Sequence, residues 1–302
     1  MRIYLAGIYT GSRGAVTSTS ENSKVTMNQA YPWILESFHY IGGERIPKII
    51  REKGDTIFLD SGAFSMLTQG VTVNLEKYAD FIKTNLDIIH IASNLDHIGR
   101  DGEQKSYDNQ KALEGMGVKI QPVHHARDKD EWLQRYLDEG YDYIFLGGMV
   151  PESTTYLMQW LDRIWEKYLC NPDGTAKVKI HGFGLTTLDL ILRYPWFSVD
   201  STTWIMASRL GMICVDLPHK DVRVQISDRS EKIKDFDMHL DTLSPMAKKL
   251  VLDRILELGY DPELLRTMYG WRDHFNIEYF RRIMDRRVDR FIPPPKEIGL
   301  FD

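Results

Sequence analysis

Short β-rich runs alternating with helical segments predict an α/β chain closed into a (β/α)8 barrel, followed by a C-terminal helical appendage. Candidate strands cover 2–7, 56–60, 88–92, 118–123, 143–146, 177–181, 197–199 and 212–216, which makes eight. Several of them stop on an acid, with small or polar residues beyond: Ile57-Phe-Leu-Asp-Ser-Gly-Ala-Phe-Ser65, Ile91-Ala-Ser-Asn-Leu-Asp96 and Phe197-Ser-Val-Asp-Ser-Thr-Thr-Trp204. Carboxylates at the carboxyl ends of parallel strands are how such a barrel presents acid, base and nucleophile to one substrate. An open doubly wound sheet is the rival, but no Gly-x-Gly-x-x-Gly fingerprint follows the first strand.

The elements follow in order. Residues 10–29 are polar, rich in Ser, Thr and Gly, and aperiodic, which suggests a lid or a partly disordered loop. Tyr31-Pro-Trp-Ile-Leu-Glu-Ser-Phe-His-Tyr40 reads as an aromatic-rich helix packed on the barrel. Leu75, Tyr78, Ala79, Phe81 and Ile82 recur at helical spacing, as do Leu157, Trp160, Leu161, Ile164, Trp165 and Tyr168. After Pro218 the character changes. Residues 220–241 are highly charged, a linker or an edge hairpin. Ser244 followed by Pro245 opens a helix that runs to Gly259. Helical segments near 262–269 and 277–290 precede Pro293-Pro-Pro295. The expected division is a catalytic barrel over 1–219 and a helical extension over 220–302.

Composition bounds the function classes. The 302 residues can bury a sizeable core, and a net charge of −5 gives no global footprint for nucleic acid, so such a partner needs a local basic patch. Cys170 and Cys214 lie far apart, which excludes a disulfide framework and a cysteine zinc cluster. No stretch approaches the roughly 20 apolar residues of a membrane helix, and a cytoplasmic protein is expected.

Asp60-Ser-Gly-Ala-Phe64 places a carboxylate and a hydroxyl at a strand end, although Asp and Ser also serve as helix N-caps. His124 and His125 are adjacent on a strand and point to opposite faces, so at most one reaches the barrel mouth and the pair cannot easily chelate one metal. No metal and no organic cofactor are expected.

Asp60-Ser-Gly-Ala-Phe-Ser65 resembles the Asp-Ser-Gly-Gly-Phe/Tyr-Gln signature of the tRNA-guanine transglycosylase superfamily. Four further segments agree in chain order: Asn94-Leu-Asp96, Leu146-Gly-Gly-Met-Val-Pro-Glu152, His181-Gly-Phe-Gly184 and Phe197-Ser-Val-Asp200. The similarity spans roughly residues 56–204. It departs from the tRNA enzymes in lacking their zinc site of cysteines and histidine and in placing Ser65 where Gln is usual. These departures resemble the DNA-guanine transglycosylases (DpdA-like), including compact zinc-free phage versions, which insert 7-deazaguanines into DNA.

The resemblance implies a TIM barrel and assigns roles. Asp200 is the expected nucleophile at C1′ and Asp60 the general acid and base. Asp96, with Ser61, would accept from a guanine-like base. The backbone of Gly147 and Gly148, next to Met149, would donate to its carbonyl, although a Gly pair is also a tight βα turn. Phe64 and His181 would sandwich the base. The partners implied are DNA, through a flipped or single-stranded guanosine, a 7-deazaguanine base such as preQ0 as co-substrate, and an accessory protein if the duplex must be opened. For nucleic-acid contact the candidates are Arg281, Arg282, Arg286 and Arg287, with Arg13 and Lys24 in the polar loop; a solvated, ion-paired helix face is the other reading of the arginines. The alternatives are the same chemistry on RNA, as a tRNA-guanine transglycosylase, and a non-catalytic barrel subunit.

Overall fold

A sheet of short, mostly buried parallel strands with helical crossovers removes its two edges by closing on itself, and this chain does so. The strands are β1 (Arg2–Ala6), β2 (Ile34–Ser37), β3 (Ile57–Asp60), β4 (Ile89–Ala92), β5 (Val123–His125), β6 (Tyr143–Gly147), β7 (Lys179–Gly182) and β8 (Ser198–Ser201). They form one parallel sheet in the order β4-β3-β2-β1-β8-β7-β6-β5. Closure comes at Gln121, just before β5: its N–H donates to the Ala92 carbonyl (3.0 Å), and the Asn94 N–H donates to its carbonyl (2.8 Å). The chain is a (β/α)8 barrel. The computed structural model describes residues 1–11, 21–27, 31–65, 70, 73–99, 101–185, 187–230 and 238–294.

Side chains of alternate strand positions fill the interior. Tyr4, Leu35, Phe58, Val123, Tyr143 and Phe145 form an inner cluster, with Phe183 and Phe197 against it. Residues of the opposite parity, such as Ile3, Ile34, Ile57 and Ile144, face the surrounding helices. These helices are α1 (Glu21–Met27), α2 (Phe38–Ile41), α3 (Arg45–Lys53), α4 (Leu75–Thr84), α5 (Gly102–Gly115), α6 (Asp130–Asp138), α7 (Thr154–Ile164), α8 (Leu188–Ile191) and α9 (Thr203–Arg209). Caps set several of them: Asn74 accepts from the Lys77 N–H (2.9 Å) and Ser153 from the Tyr156 N–H (3.2 Å).

Two strand assignments change. The segment around Ile34 is a strand and not a helix. Ile34, Leu35 and Glu36 are all buried, with Ile34 facing the helices and Leu35 the interior, so the run carries no polar alternation to mark it. Conversely, β9 (Met212–Asp216) is not a barrel strand; it pairs antiparallel with β10 (Asp221–Gln225). The count of eight therefore rested on one strand too many and one too few. The boundary expected near 219 falls in the turn of this hairpin. The fifth strand begins at Val123, later than the expected 118–123.

Beyond the hairpin lie α10 (Pro245–Glu257), α11 (Pro262–Thr267) and α12 (Tyr269–Met284). Ser244 caps α10 as expected, accepting from the Ala247 N–H (3.3 Å). Ile213, Val215, Val224, Ile255, Leu265 and Phe275 make a core of their own. Buried Asn276 ties this unit to the barrel: its Oδ1 accepts from the Cys214 N–H (2.8 Å), and its amide donates to the Trp204 carbonyl (3.0 Å). Of the polar stretch 10–29, Glu21–Met27 is helical; residues 12–20 and 28–29 lie outside the described residues. No helix among the described residues is long and apolar enough to cross a membrane.

Glu36 is a buried carboxylate that the helical reading hid. It is 1% exposed and accepts from the Tyr9 N–H (2.6 Å) and the Thr10 hydroxyl (2.6 Å). Burial pushes its pKa from 4.5 up to about 7, against the opposing pull of the Thr10 and Tyr9 donors. A folded-state pKa above the unfolded one means stability that is full below about pH 4.5 and lost as pH rises through 7. Glu36→Gln should therefore gain on the parent protein by about 3 kcal/mol between pH 4.5 and 8. Urea unfolding at both pH values tests this; parallel pH curves for the two proteins would refute it.

Candidate active site

The carboxyl ends of β3, β4 and β8 bring the three expected carboxylates into one mouth. Asp60 closes β3, Asp96 follows β4 by a short turn and Asp200 lies within β8. Asp60 accepts the Gly62 N–H at 3.0 Å, the self-capping of an Asx turn. Gly62 has φ +83°, and a Cβ there would lie 2.6 Å from Ser37 Oγ and 2.8 Å from His39 Cβ, so the turn requires glycine. Burial chiefly, then the charges of Asp96 and Asp200, push Asp60 up to about 7. The Asp60 carboxyl is therefore protonated in part at neutral pH.

Asp96 is held from both sides. Its Oδ1 accepts the Ser61 hydroxyl (3.0 Å), and its Oδ2 lies 2.8 Å from His125 Nε2. Its side chain is 8% exposed. Asp200 is 6% exposed, and its Oδ1 accepts the Gly184 N–H (2.8 Å). Gly184 belongs to the His181-Gly-Phe-Gly184 segment, so this motif orients the carboxylate through its backbone.

His181 is placed differently from expectation. It is fully buried beneath Asp200, packed on Phe58, Phe145 and Phe183, and does not present a face at the mouth. Its Nδ1 pairs with Ser198 Oγ (2.6 Å), which also meets the Tyr143 hydroxyl (2.6 Å). Its Nε2 lies 3.4 Å from Asp200 Oδ1 without hydrogen-bond geometry. Burial lowers its pKa and outweighs the Asp200 charge, so the ring is a neutral support under that carboxylate. The sequence His–Ser–Asp is no hydrolytic triad, because Ser198 is itself fully buried.

Phe64 stands at the mouth, 51% exposed, with Tyr40 (54%) nearby; the Tyr40 hydroxyl is 3.5 Å from Ser65 Oγ. Met149 is buried. The two glycines before it make room for His125: a Cβ on Gly147 would lie 2.9 Å from His125 Cδ2, and one on Gly148, at φ +67°, 3.0 Å from His125 Cβ. Gly147→Ala should displace the imidazole and cost about 1–3 kcal/mol, read as a lowered midpoint in urea; an unchanged midpoint would show that the neighbours yield freely. Of the two histidines it is His125 that faces the carboxylates. His124 faces outward against Trp160, and burial, then His125, pushes it down to about 3. Among the described residues no group of His, Cys, Asp or Glu is arranged to hold a metal ion.

The arginines lie elsewhere. Arg282 and Arg254 clamp Asp216 (2.9 and 2.8 Å), Arg281 pairs with Glu278 (2.8 Å) and Arg286 with Asp221 (2.8 Å). Arg287 pairs with Asp289 (3.3 Å) and lines a cleft of about 760 Å³ with Arg2, Asp142, Lys179 and Phe197. Those residues mark the amino ends of the strands, so Arg287 is at the opposite end of the barrel from the carboxylates. Lys24 pairs with Glu21 (2.7 Å), and Arg13 lies outside the described residues. Sequence reasoning missed Glu36 and the Asp96–His125 contact; the long gap between Ala6 and Ile57, room for another strand, was the one available signal for the former.

No protein-family model matches the chain, and no curated protein does. Among solved structures, KGPDC from Streptococcus mutans is similar over 66% of this chain and 86% of its own, at 13% identity and TM-score 0.38. A protein of Aquifex aeolicus VF5 is similar over 68% and 84%, at 9% identity and TM-score 0.41. A mutant tryptophan synthase alpha-subunit from Pyrococcus furiosus is similar over 68% and 88%, at 11% identity and TM-score 0.41.

Proposed function

We propose that this barrel is a base-exchange enzyme of the DNA-guanine transglycosylase type, replacing guanine in DNA by a 7-deazaguanine. The observation that carries this reading is the meeting of Asp60, Asp96 and Asp200 at one barrel mouth in three different settings. One is pushed toward neutrality, one is pinned by a hydroxyl and an imidazole, and one is aimed by a backbone N–H. Base exchange needs those three behaviours.

The chemistry balances as follows. The Asp200 carboxylate attacks C1′, and the glycosidic C–N bond breaks with its electron pair leaving on guanine. Asp60, protonated, gives its proton to a ring nitrogen of the departing base. The incoming 7-deazaguanine then loses its ring N–H proton to the Asp60 carboxylate and attacks C1′, releasing Asp200. Asp96 accepts hydrogen bonds from the base edge throughout. Exposed Phe64 and Tyr40 offer flat faces at the mouth for a nucleotide turned out of its stack. For DNA over RNA, the support is the resemblance to the zinc-free branch together with Cys170 and Cys214, both buried and both pushed up to about 11 by burial.

Incorporation of labelled preQ0 into duplex DNA, single-stranded DNA and tRNA tests the reading. Label in DNA alone is the expected result. Label in tRNA moves the activity to RNA, and no label in any of the three, with base binding retained, makes this a binding barrel.

A further inference from the structure

We propose that His125 is the positioning residue of this site: it holds the Asp96 carboxylate from behind, so that Asp96 meets a bound base with both oxygens already oriented. Two donors from different strands fix the plane of that carboxylate. Ser61 Oγ, after β3, reaches Oδ1 at 3.0 Å, and His125 Nε2, at the end of β5, lies 2.8 Å from Oδ2. Each oxygen then keeps one lone pair directed elsewhere, and two parallel acceptors suit the adjacent ring N–H and exocyclic amine of a guanine-like base.

The imidazole is itself fixed, which is what distinguishes a positioning group from a passing contact. Its backbone N–H donates to Asp128 Oδ2 (2.8 Å), and Nδ1 lies 3.6 Å from the same oxygen. Gly147 and Gly148 leave it the space it occupies, since a Cβ on Gly147 would lie 2.9 Å from the ring and one on Gly148 3.0 Å from its Cβ. The residue is 6% exposed. The charged groups around it are Asp96 after β4, Asp128 after β5 and Glu103 on α5; neighbouring His124 is held neutral by burial. Burial alone would lower the His125 pKa, but Asp96, then Asp128 and Glu103, outweigh it and the net direction is upward. With Asp128 beside Nδ1, the ring keeps its Nε2 against Asp96 Oδ2.

The pairing stands on geometry alone; what the oriented carboxylate holds rests on the base-exchange reading. Two measurements separate these. Titration of the His125 ring by NMR, in the parent protein and in Asp96→Asn, needs no turnover. The midpoint should drop by about one unit or more in the variant, and an unchanged midpoint overturns the proposal. Calorimetric binding of guanine and hypoxanthine to the parent, His125→Gln and His125→Leu reads the consequence. Leu should weaken guanine at least about tenfold and erase its preference over hypoxanthine, which lacks the amine; Gln, which keeps a donor, should recover most of both. Equal selectivity in the parent and the folded Leu variant overturns the proposal. If the parent binds neither base while its titration behaves as expected, it is the base-exchange reading that fails and the pairing that survives.

Discussion

Asp200→Asn should eliminate both base exchange and the covalent enzyme–nucleic acid adduct, lowering turnover by at least about a thousandfold. The substitution keeps the side chain's shape and its acceptor for the Gly184 N–H, so the fold and the aim of the group survive. What it removes is the negative charge that meets an oxocarbenium-like C1′ and the electron pair that traps it. Neither neighbour replaces it: Asp60 serves the ring nitrogen of the base as acid, and Asp96, held by Ser61 and His125, serves the base edge. Incubation with a guanine-containing oligonucleotide, followed by a denaturing gel, reads the adduct; labelled-base incorporation reads the exchange. An adduct that persists in Asp200→Asn alongside normal exchange would assign the nucleophile elsewhere.

The three carboxylates were legible because each follows an apolar run that ends on an acid, a local pattern with one physical cause in a parallel barrel. The strand around Ile34 was not, because burial on both faces erases the alternation that marks a strand, and the four aromatic residues beside it, Tyr31, Trp33, Phe38 and Tyr40, mimic a helix face. Met212–Asp216 shows the converse: five residues that look like a barrel strand pair instead with Asp221–Gln225. Local sequence carries propensity, and the partner is decided by the rest of the chain. Charge behaved in the same way. The density of arginines after Tyr279 was plain, but the acids that hold Arg282 and Arg286, Asp216 and Asp221, come from a hairpin 66 and 65 residues earlier. His181 fitted a motif by position, yet its depth beneath Asp200 depends on Phe58 of β3, Phe145 of β6 and Phe183 just after β7.

Asp60→Asn should lower guanine release by about 10²–10⁴-fold and remove its pH dependence around neutrality. In the parent, burial first and then the Asp96 and Asp200 charges hold Asp60 near pH 7, so it carries a proton below that pH and loses it above. Release of guanine uses the protonated form, and single-turnover release should fall about tenfold per pH unit above 7. Capture of the incoming base uses the carboxylate form, and that half-reaction should slow as pH falls below 7. The two limbs run in opposite directions about one midpoint, which a simple loss of stability would not produce. Asp96→Asn removes one like charge and should move that midpoint down, toward the ordinary carboxylate range. Rapid-quench measurement of both half-reactions from acidic to basic pH decides the matter. Should both limbs survive in Asp60→Asn, the proton travels by another group, and the raised pKa of Asp60 records only that a carboxylate has been buried between two others.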